Sequence, residues 1–132
     1  MDESRLASIS LFESLPRDAR RTVAQHADEL DVGEGTELVR QGEFAYEFFI
    51  LEDGSADVMR DGERIAELGP GDFLGEMGIV RQVVRNATVV TTSPGTVIVM
   101  TSQDFRAMQR SNPDVASQIE AAVEARCQAL VG

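Results

Sequence analysis

Val58-Met59-Arg60-Asp61-Gly62-Glu63-Arg64-Ile65-Ala66 reads as a β-hairpin. Apolar residues flank a two-residue Asp-Gly turn. The two-residue turn that matches strand twist needs positive φ at both central positions, which Asp and Gly tolerate. Outward from the hairpin the period of the chain stays at two. Leu30 and Val32 alternate with Glu29 and Asp31, and Leu38-Val39, Phe48-Phe49-Ile50-Leu51, Val89-Val90 and Val97-Ile98-Val99 follow as short strands. Gly33-Glu34-Gly35, Asp53-Gly54, Gly69-Pro70-Gly71 and Pro94-Gly95 supply the turns between them. Many short strands at even spacing over residues 28–100 predict an antiparallel barrel or sandwich.

Helical spacing brackets this region. Ser14-Leu15-Pro16 reads as a helix start with proline in the first turn, where its missing N–H costs nothing. Ala19, Val23 and Ala24 then share one face, and Arg17, Arg20 and Arg21 form the solvated one. Leu6, Ile9, Leu11 and Phe12 make a shorter helical turn ahead of it. After the strands, Thr101-Ser102-Gln103-Asp104 is a cap-like start with Phe105 and Met108 facing inward. Asn112-Pro113-Asp114 opens another helix, with a cap, a proline and an acid at the positive dipole end. Val115, Ile119, Val123, Cys127 and Leu130 run down it as one apolar stripe. The expectation is a single domain over residues 1–132: helices over 3–27, a β-barrel over 28–100 and C-terminal helices over 102–131.

Composition narrows the function. The chain has 132 residues and 42% hydrophobic content, which suits one folded core. There are 23 acidic and 12 basic residues, a net charge of −11, which argues against DNA or an anionic membrane as partner. Every basic residue is arginine, so lysine chemistry is excluded. One histidine, His26, and one cysteine, Cys127, cannot make a zinc cluster or a disulfide. His26 reads as a helix-end residue, Cys127 as core, and Tyr46 as a loop-edge aromatic. No apolar run approaches the ~20 residues of a membrane span, and the N-terminus has no signal-peptide pattern. A cytoplasmic location is expected. No nucleophile–base pair is visible, so no catalytic residue, metal or cofactor is assigned.

Residues Gly71 to Thr88 break the strand pattern. Glycines let backbone N–H groups approach a ligand closely. A short helix at Glu76–Val80 would present a positive dipole end. Nine residues after Glu76, Arg85 brings a guanidinium fork that matches phosphate. A carboxylate repels phosphate, so Glu76 suits a sugar hydroxyl and Arg85 the phosphate itself. Taken alone, Arg85 reads as a strand-end surface arginine, and Glu76 as a first-turn helix acid. An arginine–phosphate pair at 4 Å is worth about 4 kcal/mol at an effective dielectric of 20. Surplus surface charge is screened beyond about 8 Å, so the local pair outweighs the global one.

The combination resembles the cyclic nucleotide-binding domain family. Gly75-Glu76-Met77-Gly78-Ile79 is similar to the first half of that family's phosphate-binding cassette, and Arg85-Asn86-Ala87-Thr88 to the second. Leu11-Phe12-Glu13-Ser14-Leu15-Pro16, Phe49-Ile50-Leu51-Glu52-Asp53-Gly54 and Leu68-Gly69-Pro70-Gly71-Asp72-Phe73 resemble its first helices, the approach to its central hairpin and the lead into its cassette. Asn86 stands where serine, threonine or alanine is commoner. Val83-Val84 stands where a Gly-x-Pro-like turn is often found. The resemblance implies a mainly β fold with flanking α: an antiparallel eight-stranded jelly-roll-like barrel with N-terminal helices, a cassette over residues 73–88 carrying a short helix, and two C-terminal helices.

By the same resemblance, Glu76 accepts from the ribose 2′-hydroxyl, and Gly75 and Gly78 offer backbone N–H groups, with Met77 between them. Arg85 pairs with the cyclic phosphate, and Asn86 and Ala87 stand beside it. The implied ligand is cAMP, with cGMP the other candidate. The implied role is a sensor whose C-terminal helices move on binding and act on a protein partner in trans or on a second copy. A helix-turn-helix is not expected, nor is DNA as a partner. The alternative is a degenerate fold that serves as a ligand-free protein-interaction module.

Overall fold

A computed structural model of the chain describes residues 3–7, 9, 12–13, 15–44, 47–74 and 85–121. The chain forms two compact units, Asp28–Ser102 and the combined termini Met1–Ala27 with Gln103–Gly132.

The Asp28–Ser102 unit holds eight strands among the described residues: β1 (Asp28–Val32), β2 (Glu37–Val39), β3 (Glu47–Asp53), β4 (Ala56–Arg60), β5 (Glu63–Leu68), β6 (Phe73–Leu74), β7 (Thr88–Thr91) and β8 (Gly95–Thr101). They form two four-stranded antiparallel sheets, ordered β1-β8-β3-β6 and β2-β7-β4-β5. Phe49, Leu51, Leu74 and Val97 of the first sheet meet Ala56 and Val89 of the second in one apolar cluster, flanked by Val32, Val39, Val58 and Leu68. The expected jelly-roll-like architecture is present as two facing sheets rather than one closed barrel. β6 has two residues and β2 three, too little edge to carry a ladder from one sheet to the other.

The hairpin forms where the sequence places it. β4 and β5 pair through Arg60 and Glu63, and Asp61 (φ 53) and Gly62 (φ 81) both take the left-handed conformation. Phe48 to Leu51 are buried without interruption, so both faces of β3 are covered. Phe49 enters the core cluster, while the Phe48 ring lies 5.7 Å from that of Phe73, tilted by 55°. Alternation fixes β1 as a strand but does not bury it. Leu30 is 51% exposed, since β1 is an edge with β8 as its neighbour.

In the other unit, α1 (Glu3–Leu6) and α2 (Arg17–His26) stand where helical spacing predicts. Pro16 takes the cap position, one residue earlier than expected, and its carbonyl accepts from Arg20 N at 3.0 Å. Arg20 corrects the solvated-face assignment. Its Nε bonds Glu3 at 2.7 Å and its Nη1 donates to the Leu15 carbonyl at 2.7 Å. An arginine stem can lie along apolar surface while its head stays paired, which periodicity alone does not reveal. His26 closes α2, with Nδ1 3.0 Å from the Thr22 carbonyl. α3 (Ser102–Ser111) buries Phe105 and Met108. Helix resumes over residues 113–121 with Ala116 and Ile119 buried. Val123, Cys127 and Leu130 lie outside the described residues.

Gly95 is held by sterics. A Cβ there would stand 2.2 Å from the Asp53 carbonyl oxygen. Gly95→Ala is expected to lower stability by about 1–3 kcal/mol in urea denaturation. Gly62→Asn, at φ +81 with open space around it, should cost less than about 1 kcal/mol. The reverse order would contradict the close β3–β8 approach.

Candidate functional site

Arg85 stands three residues before β7, and the strand period already governs it. Arg85, Ala87, Val89 and Thr91 are buried, while Asn86 is exposed and Thr88 and Val90 are partly so. Successive residues of an extended chain point to opposite faces. Arg85 therefore shares its face with Val89, a member of the core cluster. Its residual exposure is 9%, which places a permanent cation largely out of water.

Desolvating a guanidinium costs several kcal/mol unless acceptors replace the lost water. One acceptor is the Glu47 carbonyl at the start of β3, which takes Nη2 at 2.5 Å. The backbone is fixed as well. Arg85 N donates to the Glu43 carbonyl at 2.8 Å, and Gly42 N donates to the Arg85 carbonyl at 3.0 Å. Gln41 N donates to Thr88 Oγ1 at 2.9 Å, and Arg60 Nε to the Asn86 carbonyl at 3.1 Å. The loop between β2 and β3 thus pairs with the Arg85–Thr88 segment almost as an extra strand would. Chemically this is an oriented, buried cation with rigid backing, suited to one anionic group.

The nearby surface cation is already neutralised. Arg40 Nε lies 2.5 Å from Glu37 and its Nη1 3.6 Å from Glu43. The Glu37 hydrogen bond first, then the Glu37 and Glu43 charges, hold the Arg40 guanidinium above its ordinary range. Arg64 faces Asp57 at 3.7 Å. Among the described residues no group of three or more His, Cys, Asp or Glu side chains could hold a metal ion.

Of the residues singled out in the sequence, Arg85 and Ala87 are buried side by side on one face, with Ala87 7% exposed. Asn86 points the other way and contributes its carbonyl to Arg60. Gly75, Glu76, Met77, Gly78 and the Glu76–Val80 helix lie outside the described residues, as do Val83 and Val84. Sequence reasoning missed Gln41, Gly42, Glu43 and Glu47. Three of them act on Arg85 through the backbone, which any residue type supplies. The one available signal was Gln41-Gly42-Glu43 as a turn, with Gly42 at φ +90.

A family model described as the cyclic nucleotide-binding domain matches residues 29–112. Over 88 residues the chain is 33% identical to a cAMP-dependent protein kinase regulatory subunit of Schizosaccharomyces pombe, covering 66% of this chain and 21% of that protein. The chain spans about a quarter or less of the curated relatives of this kind. A solved structure of a cyclic nucleotide-binding-like protein from Brucella abortus is 30% identical, with TM-score 0.70, over 83% of this chain and 97% of that one. The regulatory domain of Toxoplasma gondii PKA, crystallised with cAMP, has the same fold, with TM-score 0.79 at 21% identity over 96% of this chain and 48% of that one.

The opposite exposures of Asn86 and Ala87 are measurable. Asn86→Ala should change stability by less than about 0.5 kcal/mol. Ala87→Leu should cost about 1–3 kcal/mol by overpacking. Equal effects in urea denaturation would show that the period-two assignment of the segment is wrong.

Proposed function

The chain belongs to the cyclic nucleotide-binding domain family, and from that premise we propose that it binds a 3′,5′-cyclic nucleotide, cAMP in the first place, as a non-catalytic regulatory sensor. The observation that carries the proposal is the burial and three-point hydrogen bonding of Arg85. On this reading the Arg85 guanidinium pairs with the cyclic phosphate. Glu76 accepts from the ribose 2′-hydroxyl, and Gly75, Met77 and Gly78 line the phosphate with backbone groups. Asn86 and Ala87 complete the cassette. One relative is a subunit of a cAMP-dependent kinase and another was crystallised with cAMP, which favours cAMP over cGMP. Residues 1–132 are taken as one such module, cytoplasmic, acting on a protein partner in trans or on a second copy rather than on DNA.

The proposed response is a movement of the C-terminal helices. Glu47, whose carbonyl holds Arg85 Nη2, is the register partner of Thr101, the last residue of β8. α3 begins at the next residue, Ser102. An anion held on Arg85 therefore bears, through the Glu47 carbonyl, on the strand pair that leads straight into a helix. Such a shift needs a ligand that binds the two states with different affinity.

Isothermal titration with cAMP, cGMP and AMP tests the proposal. Arg85→Ala should weaken cAMP binding by roughly 30- to 4,000-fold, the 2–5 kcal/mol that follows loss of one partner of a buried charge pair. Circular dichroism confirms that the variant remains folded. Absence of heat with every cyclic nucleotide at millimolar concentration would sink the sensor reading and leave a protein-interaction module.

A further inference from the structure

Gln41 is exposed, yet it makes three hydrogen bonds that no surface role explains. Its side-chain amide is bidentate on the hairpin tip: Nε2 donates to Asp61 Oδ1 at 2.9 Å, and Oε1 accepts from Asp61 N at 3.0 Å. Its backbone N donates to Thr88 Oγ1 at 2.9 Å. The next two residues carry the bonds to Arg85: Gly42 N to the Arg85 carbonyl, and Arg85 N to the Glu43 carbonyl. One residue therefore joins the β4–β5 turn, the loop between β2 and β3, and the strand that presents the cation.

We propose that Gln41 is a positioning residue for the anion site: by locking the 41–43 loop to the rigid Asp61-Gly62 turn, it holds Arg85 in its binding orientation before ligand arrives. The argument is one of relative stiffness. A two-residue turn with both φ angles positive has few alternative conformations. The 40–44 loop lacks core anchors: residues 40–44 are largely exposed, and Phe44 is 67% exposed. Without the amide clamp that loop samples other conformations, and the fraction of molecules with Arg85 correctly backed falls. Apparent affinity falls by the same fraction. Glu43 cannot substitute, because its carboxylate is engaged by Arg40 at 3.6 Å.

The inference rests on Arg85 as the phosphate ligand, so the test carries one arm that needs no ligand. Amide hydrogen exchange is measured on the ligand-free wild type, Gln41→Ala and Asp61→Asn, followed by titration of each with cAMP. In Gln41→Ala the Arg85 amide should exchange at least about ten times faster. The Thr91 amide, which bonds the Thr36 carbonyl at 2.9 Å elsewhere in the sheet, should be unchanged. Loss of two exposed hydrogen bonds should weaken cAMP binding about 5- to 30-fold, with the melting midpoint moved by less than about 3 °C. Asp61→Asn keeps an acceptor for Nε2 and tolerates positive φ, so it should behave as wild type in both arms. Unchanged Arg85 exchange in Gln41→Ala, or faster exchange with unchanged affinity, overturns the proposal. If the wild type takes no cAMP, the sensor reading fails, and the exchange arm alone decides the clamp.

Discussion

A guanidinium cannot be neutralised by losing its proton, so burying one obliges the surrounding chain to supply acceptors. Arg85 imposes that constraint on this protein. The loop between β2 and β3 runs alongside it, the start of β3 offers a carbonyl, and the hairpin turn steadies the loop through Gln41. The apolar cluster formed by Phe49, Leu51 and Val97 with Ala56 and Val89 fixes the two sheets that carry these elements. The sheets are thus the frame, and the backbone bonds of residue 85 together with its guanidinium's bond to Glu47 tie the neighbouring loop and the start of β3 to it.

The acidic surface does not oppose this arrangement. The net charge of −11 is spread along the chain, and exposed charges more than about 8 Å apart are screened at physiological salt. Arg40, Arg64 and Arg20 are each paired with carboxylates. Arg85 differs from them in being buried and backed by a main-chain carbonyl, which carries no charge to compete with an anionic ligand. An acidic exterior also discourages non-specific contact with nucleic acid and anionic surfaces.

The legible parts of the fold were those set by local chemistry. Asp61-Gly62 announced its turn because few residue pairs accept two positive φ angles. The Ala19, Val23 and Ala24 stripe announced a buried helical face, and Asn112-Pro113 announced the helix start that follows. Arg85 could be singled out by its spacing from Glu76, and it is buried. The illegible parts were those set by tertiary context. Leu30 looks like a core residue until β1 is found at a sheet edge. Arg20 looks solvated until Glu3 is found beside it. The acceptors around Arg85 are main-chain carbonyls of Glu43 and Glu47, and a carbonyl leaves no mark in a sequence.

The central claim is that Arg85 is a preset anion seat rather than a structural arginine. A crystal structure of the protein with cAMP tests it most directly. The account predicts a phosphate oxygen within about 3.2 Å of the Arg85 guanidinium, with Nη2 still on the Glu47 carbonyl and the Gln41–Asp61 pair intact. A bound nucleotide whose phosphate lies away from Arg85, or an Arg85 side chain swung off Glu47 to reach it, would contradict the account.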